Sequence, residues 1–322
     1  MKKTLLAGGA ALMLLSATGT NAQQVMSIAS NPQGSVFYSA SVGIAKVIDE
    51  KLKTQVRVQP MGGSSTYIPL LNRGEVELGL TNVDDARTAF AGKGSFREPN
   101  PNLRLITVMF PLPLSVVVPA DSPIKTIADL KGKSLPGSYV AQTTGRILQE
   151  AILASAGLTP KDVREVPAPN LFAGVDLMAA GKVDAATTAP GVAQVQKAHA
   201  ELKSRGGVRF LNVDTSPAAL AEMRKFLPVR PLVLEPAAHM AGVIGPTTVM
   251  SYSIFLTAND KMPDEQAYQL AKMLHESRDD LVKATPALNR FDPNRMGEDI
   301  GVPYHPGSVK FLTEIGQWPP KD

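Results

Sequence analysis

Small hydroxyl and amide side chains beside glycine recur where strand-like segments end, and their chemistry suits hydrogen bonding to a small polar molecule. The first such stretch runs from Ser30 to Tyr38, where Gly34 and Ser35 separate a short apolar strand from an amphipathic helix. Backbone N–H groups at a helix start are unpaired and carry partial positive charge, which suits an anionic group. A Gly-Ser pair before a helix is equally an ordinary N-cap, so the interpretation depends on whether the loop recurs.

Two further polar loops, at 61–66 and 81–85, follow the same alternation of strand and helix. That alternation indicates a parallel sheet with helices on both faces. Such sheets bind ligands beyond the carboxyl ends of their strands, so we expect the three loops to converge on one site.

The chain then repeats this plan. Residues 73–81 parallel residues 180–188, since each segment has a helix-ending glycine, an alternating strand and a hydroxyl-bearing end. A second Gly-Ser loop, at 137–138, lies a similar distance upstream of the second segment. Any two βα units look somewhat alike, which is the alternative explanation. We predict two α/β lobes that offer their loops to a shared cleft.

The predicted lobe boundaries place 23–111 plus 251–322 in lobe I and 112–250 in lobe II. Strands are predicted at 25–29, 55–59, 75–80, 103–109, 114–118, 163–166 and 251–256. Residues 135–139 are predicted to open a helix, residues 217–246 to form extended chain, and residues 266–281 to form a helix. The predicted ligand-binding residues are Gln33, Gly34, Ser35, Tyr38, Gly63, Ser64, Ser65 and Asn82 from lobe I, with Ser138, Gln142, Thr143 and Thr187 from lobe II.

The first 22 residues have the features of a secretory signal peptide. Lys2 and Lys3 precede an apolar run from Leu5 to Leu15, and Thr20-Asn21-Ala22 ends in small residues. We expect cleavage after Ala22 and a periplasmic location; a retained anchor is the alternative. The run is too short for a transmembrane helix.

The composition excludes several kinds of site and partner. The chain has no cysteine, which excludes disulfides, thiolate metal sites and a cysteine nucleophile. The formal charge of +4 includes the two leader lysines, and no basic stripe with interleaved aromatics is present, so a nucleic-acid partner is not expected. The mature length of about 300 residues favours two lobes.

Nothing in the sequence predicts a catalytic residue, a metal site or a cofactor. The four histidines lack metal spacing, and no GxSxG, GxxxxGK[ST] or strand-linked GxGxxG motif occurs. Asp84 and Asp85 are interpreted as helix caps rather than as an acid–base pair. Arg146 and Arg230 could pair with a ligand carboxylate, but solvated or salt-bridged side chains are the favoured interpretation. His305 lies in a Pro-flanked turn and is expected to be structural.

The tail Val302–Phe311, VPYHPGSVKF, followed by Glu314, Gly316 and Trp318, resembles the closing segment of the TAXI solute receptors of TRAP transporters. Residues 33–38 are similar to the first loop of those receptors, and residues 62–64 with 70–75 to the second. The resemblance implies a type II periplasmic binding protein fold, with two lobes joined by a hinge. It also implies a monomer that captures a small organic anion or amino acid and delivers it to a transporter driven by an ion gradient.

Two departures from the family pattern fall at loops expected to face the ligand. Thr66-Tyr67 stand where the family usually has an acidic residue and asparagine, and Ser138-Tyr139-Val140 stand where it usually has Ser-Gly-Thr. The ligands of better-known members therefore do not transfer to this chain. A sensor of a periplasmic signalling system and, less favoured, a periplasmic enzyme are the alternative functions on the same fold.

Overall fold

The computed structural model describes residues 25–140 and 142–320, so the predicted signal peptide at 1–22 lies outside the described residues. The strands are β1 Val25–Ser30, β2 Gln55–Pro60, β3 Leu78–Asn82, β4 Leu103–Pro119, β5 Ser134–Ser138, β6 Arg164–Ala168, β7 Ala186–Thr188, β8 Val208–Phe210, β9 Arg230–Leu234 and β10 Thr247–Asn259. The helices are α1 Val36–Leu52, α2 Ser64–Arg73, α3 Val83–Ala91, α4 Thr144–Ala154, α5 Leu171–Ala179, α6 Ala193–Glu201, α7 Pro217–Arg224, α8 Asp264–Glu276, α9 Arg278–Ala284 and α10 Pro306–Glu314.

Lobe I is built on a sheet in which β2, β1 and β3 are parallel and β10 and β4 follow in antiparallel pairing. Helix α1 packs on this sheet because its apolar residues keep helical spacing, and Ile44, Val47 and Ile48 are fully buried. The carboxyl ends of β1 and β3 therefore lie side by side, which brings their polar loops together.

Two long strands, β4 and β10, connect the lobes. The second half of β4 pairs antiparallel with β7 and β8, and the first half of β10 pairs with β9. The prediction of two separate strands at 103–109 and 114–118 is wrong, since β4 runs without a break. Pro111 and Pro113, between the two predicted strands, lie within β4 opposite Ser253 and Ser251. The predicted boundaries after 111 and 250 fall inside these strands, and we retain them as a proposal.

Lobe II contains fewer parallel strands than predicted, because among its described residues only β5 and β6 pair in parallel. Residues 134–138 form strand β5, so the prediction that 135–139 open a helix is wrong. A proline is tolerated in this two-stranded sheet, where Pro136 lies opposite Val166. The stretch predicted to be extended chain contains helix α7, whose Ser216 cap accepts from the N–H of Ala219 at 3.3 Å, and strand β9.

The C-terminal part of the chain returns to lobe I. The helix predicted at 266–281 is divided at Ser277 into α8 and α9. His305 is buried at the start of α10, where its ring Nδ1 accepts from the N–H of Gly307 at 3.3 Å. The backbone N–H of His305 donates to the carbonyl of Leu105 at 2.8 Å. His305 thus has the structural position expected. Over the described ranges, no helix combines the length and apolarity needed to cross a bilayer.

Candidate functional site

The predicted loops of both lobes meet around a small interlobe cavity with a volume of about 30 Å³. Lobe I contributes the ends of β1 and β3 and the starts of α1 and α2. Lobe II contributes the first half of α4 with the residue Gln142 before it, the start of α5, and residues between β7 and α6. Four of the predicted binding residues line the cavity: Ser35, Ser64, Asn82 and Gln142. The expected convergence of the three lobe I loops is therefore present in the structure.

Two of these residues also cap helices. Ser35 Oγ accepts from the N–H of Tyr38 at 3.0 Å, and Asn82 Oδ1 accepts from the N–H of Asp85 at 2.8 Å. These local bonds explain why α1 and α3 start where they do. Capping and lining the cavity are compatible roles, because each side chain sits at a helix start that points toward the other lobe.

Beside the cavity lies the carboxylate of Asp85, which is 3% exposed and bonds to residues of both lobes. Its Oδ2 accepts from the hydroxyl of Ser64 and, at 2.7 Å, from the Nδ2 of Asn82. Its Oδ1 accepts from the hydroxyl of Thr144 in lobe II. Burial raises the pKa of Asp85, and the three hydrogen bonds oppose that rise by stabilising the charged form. No Lys, Arg or His among the described residues forms an ion pair with this carboxylate.

Contacts between the lobes explain the small volume of the cavity. Besides the bond from Thr144 to Asp85, the N–H of Ala193 at the start of α6 donates to the carbonyl of Gly34 at 3.1 Å. Thr143 Oγ1 donates to Ser95 Oγ at 2.9 Å on the surface of the same junction. The two lobes are therefore in contact, and the structure represents a closed state.

Two buried polar atoms at this junction have no hydrogen-bond partner in the described part of the chain. Asn31 is 4% exposed and lines the cavity, and its Oδ1 accepts no hydrogen bond. The Oε1 of Gln194, on α6 close to Gly34, is likewise unpaired. Buried polar groups in folded proteins nearly always have a partner, so these acceptors indicate that a donor from outside the chain can bind here.

The remaining predicted residues have other positions. Gln33 and Ser138 are exposed, Tyr38 and Ser65 are half-buried on helices, and Gly63 is buried before α2. The hydroxyl of Thr187 donates to Gln149 Oε1 at 3.1 Å inside lobe II, while the next residue, Thr188, lines the cavity. The remaining two, Gly34 and Thr143, make the contacts between lobes described above.

Sequence reasoning missed five polar residues in or beside the cavity. Asn31, Thr144, Thr188 and Tyr252 line the cavity, and Asp85, for which the sequence favours a cap, lies beside it. Strand alternation could have favoured Thr188 over Thr187, because successive side chains point to opposite faces. Tyr252 lies on β10, more than 200 residues from the first loop, and has no local signal.

Tyrosines occupy both positions that depart from the TAXI pattern. Tyr67 is fully buried and its hydroxyl donates to the carbonyl of Leu80. Tyr139 is also fully buried, with a positive φ of 43°, and its hydroxyl donates to Gln149 Oε1 at 2.9 Å. Each ring fills the interior of its own lobe just behind a cavity loop, so these departures change how the loops are supported.

An Asp84→Asn variant is expected to gain stability over the wild type as the pH rises. Burial, reinforced by the charge of Asp85 and opposed by that of Arg87, raises the pKa of Asp84 to about 6 from its ordinary value of 3.8. The pKa of this carboxyl is higher in the folded chain than in the unfolded chain. As the pH rises from the lower to the higher of these two values, the carboxyl ionises more readily in the unfolded chain, which destabilises the fold. The difference in free energy of unfolding between variant and wild type should thus grow by about 2.4 kcal/mol from pH 4 to pH 8.

Denaturant unfolding at both pH values measures this difference, and Asp129→Asn is its control of opposite sign. The N–H groups of Lys125 and Thr126, each 2.9 Å from the carboxylate of Asp129, lower the pKa of that residue. Asp129→Asn should therefore lose stability relative to the wild type as the pH rises. A pH-independent difference for Asp84→Asn would contradict the assignment.

The described residues contain no group of three or more side chains that could hold a metal ion. Arg146 forms an ion pair with Glu150 at 2.8 Å on the surface of α4, away from the cavity lining. The chemistry available in the site is therefore hydrogen bonding by hydroxyls, amides, helix starts and one buried carboxylate.

The family follows from comparison with known proteins. The profile of the NMT1-like family matches residues 28–316, which include both lobes and both connecting strands. The chain belongs to the NMT1-like family. This family assignment is broader than the TAXI resemblance of the tail. The match itself identifies neither a ligand nor a type of transporter.

Solved structures show the fold of this NMT1-like chain. A structure described as a periplasmic transporter is 14% identical, covers 92% of this chain and 94% of its own, and has a TM-score of 0.57. PhnD1 of Prochlorococcus marinus, solved with methylphosphonate, is 13% identical over 92% of this chain and 98% of its own, with a TM-score of 0.53. The binding-protein component of an ABC phosphonate transporter of Pseudomonas aeruginosa is 12% identical over 84% and 80%, with a TM-score of 0.53. The predicted type II periplasmic binding protein fold is confirmed.

Proposed function

We propose that this chain is a periplasmic solute receptor that captures a small polar solute between its two lobes. The observation that carries the proposal is the interlobe cavity, where both lobes place polar groups around a buried acceptor, Asn31 Oδ1, that has no partner in the described chain. A receptor needs such a site, because a buried acceptor without a partner is costly until a ligand donates to it.

Closure between two lobes supplies the mechanism. In the open state a solute contacts the loops of one lobe. The cavity of the present structure has room for little more than a water molecule, so a bound solute holds the lobes further apart than they are here. It then contacts Ser35 and Asn82 from lobe I together with Gln142 and Thr188 from lobe II. A solute that gains contacts only on closure shifts the population toward the closed state. The continuous strands β4 and β10 allow that motion while keeping the lobes in register.

The ligand class that we propose is a small organic anion or an amino acid. The start of α1 points unpaired N–H groups at the cavity, which suits a carboxylate. Asn31 provides an acceptor in the cavity lining, which suits an N–H or O–H donor of the ligand. No lysine or arginine belongs to the described lining, so helix starts and hydroxyls would hold the anionic group.

The tail resemblance supports a TRAP-type transporter as the partner that receives the solute. The alternative is an ABC importer, because a protein of similar fold is a component of an ABC phosphonate transporter. Uptake measured with the receptor and its membrane partner in vesicles separates the two. Uptake that needs an ion gradient but no ATP supports the TRAP proposal, and uptake that needs ATP contradicts it.

Asn31→Leu is expected to lose the bound solute. The protein is purified without denaturation, and solutes released on unfolding are identified by mass spectrometry. Removing a buried acceptor that bonds the ligand should weaken binding by about tenfold, since such a bond contributes about 1 kcal/mol or more. Thr188→Val should weaken binding from the opposite lobe.

Thr313→Val, on α10 far from the cavity, is the control and should retain the solute. Equal solute occupancy in the wild type, Asn31→Leu and Thr188→Val would contradict the proposed site. Release of a chemically altered solute would contradict the receptor function and support an enzyme.

A further inference from the structure

A second and larger cavity lies at the connection between the lobes, and we call it the hinge groove. It has a volume of about 710 Å³ and is formed by segments 108–111, 228–232, 251–253, 290–299 and 316–320. A volume of this size is typical of sites for small molecules. Among the described residues, Tyr252 alone lines both the groove and the interlobe cavity, so the two spaces have otherwise different linings.

Two of the three arginines that line the groove have no partner among the described residues. Arg290 is half-buried and Arg295 is exposed, and neither guanidinium has an ion pair or a hydrogen bond to the described residues. Burial lowers the pKa of Arg290, which means that its charge lacks compensation where it stands. The third arginine, Arg230, lies 3.7 Å from Glu298.

The carboxylates of the groove, in contrast, already have partners. Glu298 accepts from the hydroxyl of Ser253 at 2.6 Å. Asp292 accepts from the N–H of Asn294 at 2.9 Å, and Asp299 from the N–H of Gly301 at 2.9 Å, so both brace turns of their own loop. The groove therefore has equal numbers of arginines and acidic residues but two guanidiniums left free to bind.

We propose that the hinge groove is a second ligand site, which binds a small carboxylate- or phosphate-bearing anion through Arg290 and Arg295. Guanidinium groups form paired, charge-assisted hydrogen bonds with both kinds of oxyanion. The half-buried Arg290 should contribute most to binding, because an anion there stabilises a charge that burial has deprived of water. This site is independent of the proposed receptor function, since none of its arginines lines the interlobe cavity.

Binding of citrate and of inorganic phosphate to the full chain, measured by calorimetry at fixed ionic strength, tests the proposal, with glycerol as the uncharged probe. The two anions distinguish carboxylate from phosphate recognition. The single tryptophan, Trp318, gives an independent fluorescence signal, because Gln317 and Pro320 on either side of it line the groove. At least one anion should bind, and glycerol should not.

Arg290→Gln and Arg295→Gln should each weaken anion binding by about tenfold, and the double variant should weaken it further. Arg295 is exposed, so its variant tests the site even if Arg290→Gln does not fold. Arg97→Gln removes an equal charge from an exposed loop outside both cavities and should bind the anion as the wild type does.

Three results would overturn the proposal: no anion binding by the wild type, unchanged binding by the double variant, or equal weakening by Arg97→Gln. The interlobe variant Asn31→Leu separates the two sites. It should keep anion binding in the groove, and loss of that binding would place the anion in the interlobe cavity instead.

Discussion

A Gly34→Val variant is expected to stay open and to bind its solute about tenfold to hundredfold more weakly than the wild type. Gly34 has a φ of +85°, and a Cβ at this position would lie 3.1 Å from the Cβ of Ala193 on α6 of the other lobe. The valine methyls would enter this contact and push the lobes apart. Overpacking of this kind costs about 1–3 kcal/mol, and the whole of that cost falls on the closed state.

Small-angle X-ray scattering should then give a larger radius of gyration for the variant, with or without solute. Gly157→Val is the matched control, because Gly157 has a similar φ of +69° but a Cβ there would meet no atom within 4 Å. Both variants place a valine at a positive φ, but only Gly34→Val also meets an atom of the other lobe. A Gly34→Val protein with wild-type radius and affinity would show that the closed state does not use this contact.

Asp85→Ala is expected to lower the free energy of unfolding by about 2–5 kcal/mol. The substitution leaves Ser64, Asn82 and Thr144 with buried donors that have no acceptor, and two of these residues belong to one lobe and the third to the other. Chemical denaturation at neutral pH measures the loss. Scattering should also show a shift toward the open state, because the bond from Thr144 crosses between lobes.

Two further variants separate the parts of this effect. Asp85→Asn keeps an acceptor oxygen and removes a buried charge, so it should cost far less stability than Asp85→Ala. Thr144→Val removes only the bond between lobes and should change the radius of gyration more than the stability. Equal stability of Asp85→Ala and the wild type would show that water replaces the carboxylate at no cost.

Features set by neighbouring residues were predictable from the sequence. Ser35 and Asn82 cap helices through bonds to residues three positions ahead, and the resulting helix starts place both side chains at the cavity. The alternation of strands and helices indicates the fold class and the convergence of the first three loops, because both depend on local hydrophobic period. Even in 217–246 the pair Ser216-Pro217 is a local signal for the start of α7.

Features set by distant residues were not predictable. The role of Asp85 depends on Ser64 and Thr144, which are 21 and 59 positions away, and nothing in its own neighbourhood distinguishes it from a helix cap. Pro111 and Pro113 favour a break because a strand by itself disfavours proline, but pairing with β10 holds β4 in one piece. Tyr252 and the free arginines of the hinge groove likewise meet only through the tertiary fold.

The placement of β10 also constrains the order in which the chain can fold. This strand lies between β3 and β4 in the sheet. The hydroxyl of Thr257 on β10 donates to the carbonyl of Gly79 on β3, although the two residues are 178 positions apart in the sequence. The sheet of lobe I therefore stays incomplete until the chain has been made past residue 259. Contacts of such long sequence separation slow folding, so assembly of this central strand should set the folding rate. Until then β3 and β4 expose unpaired edges, and the incompletely folded chain is at its most prone to aggregation.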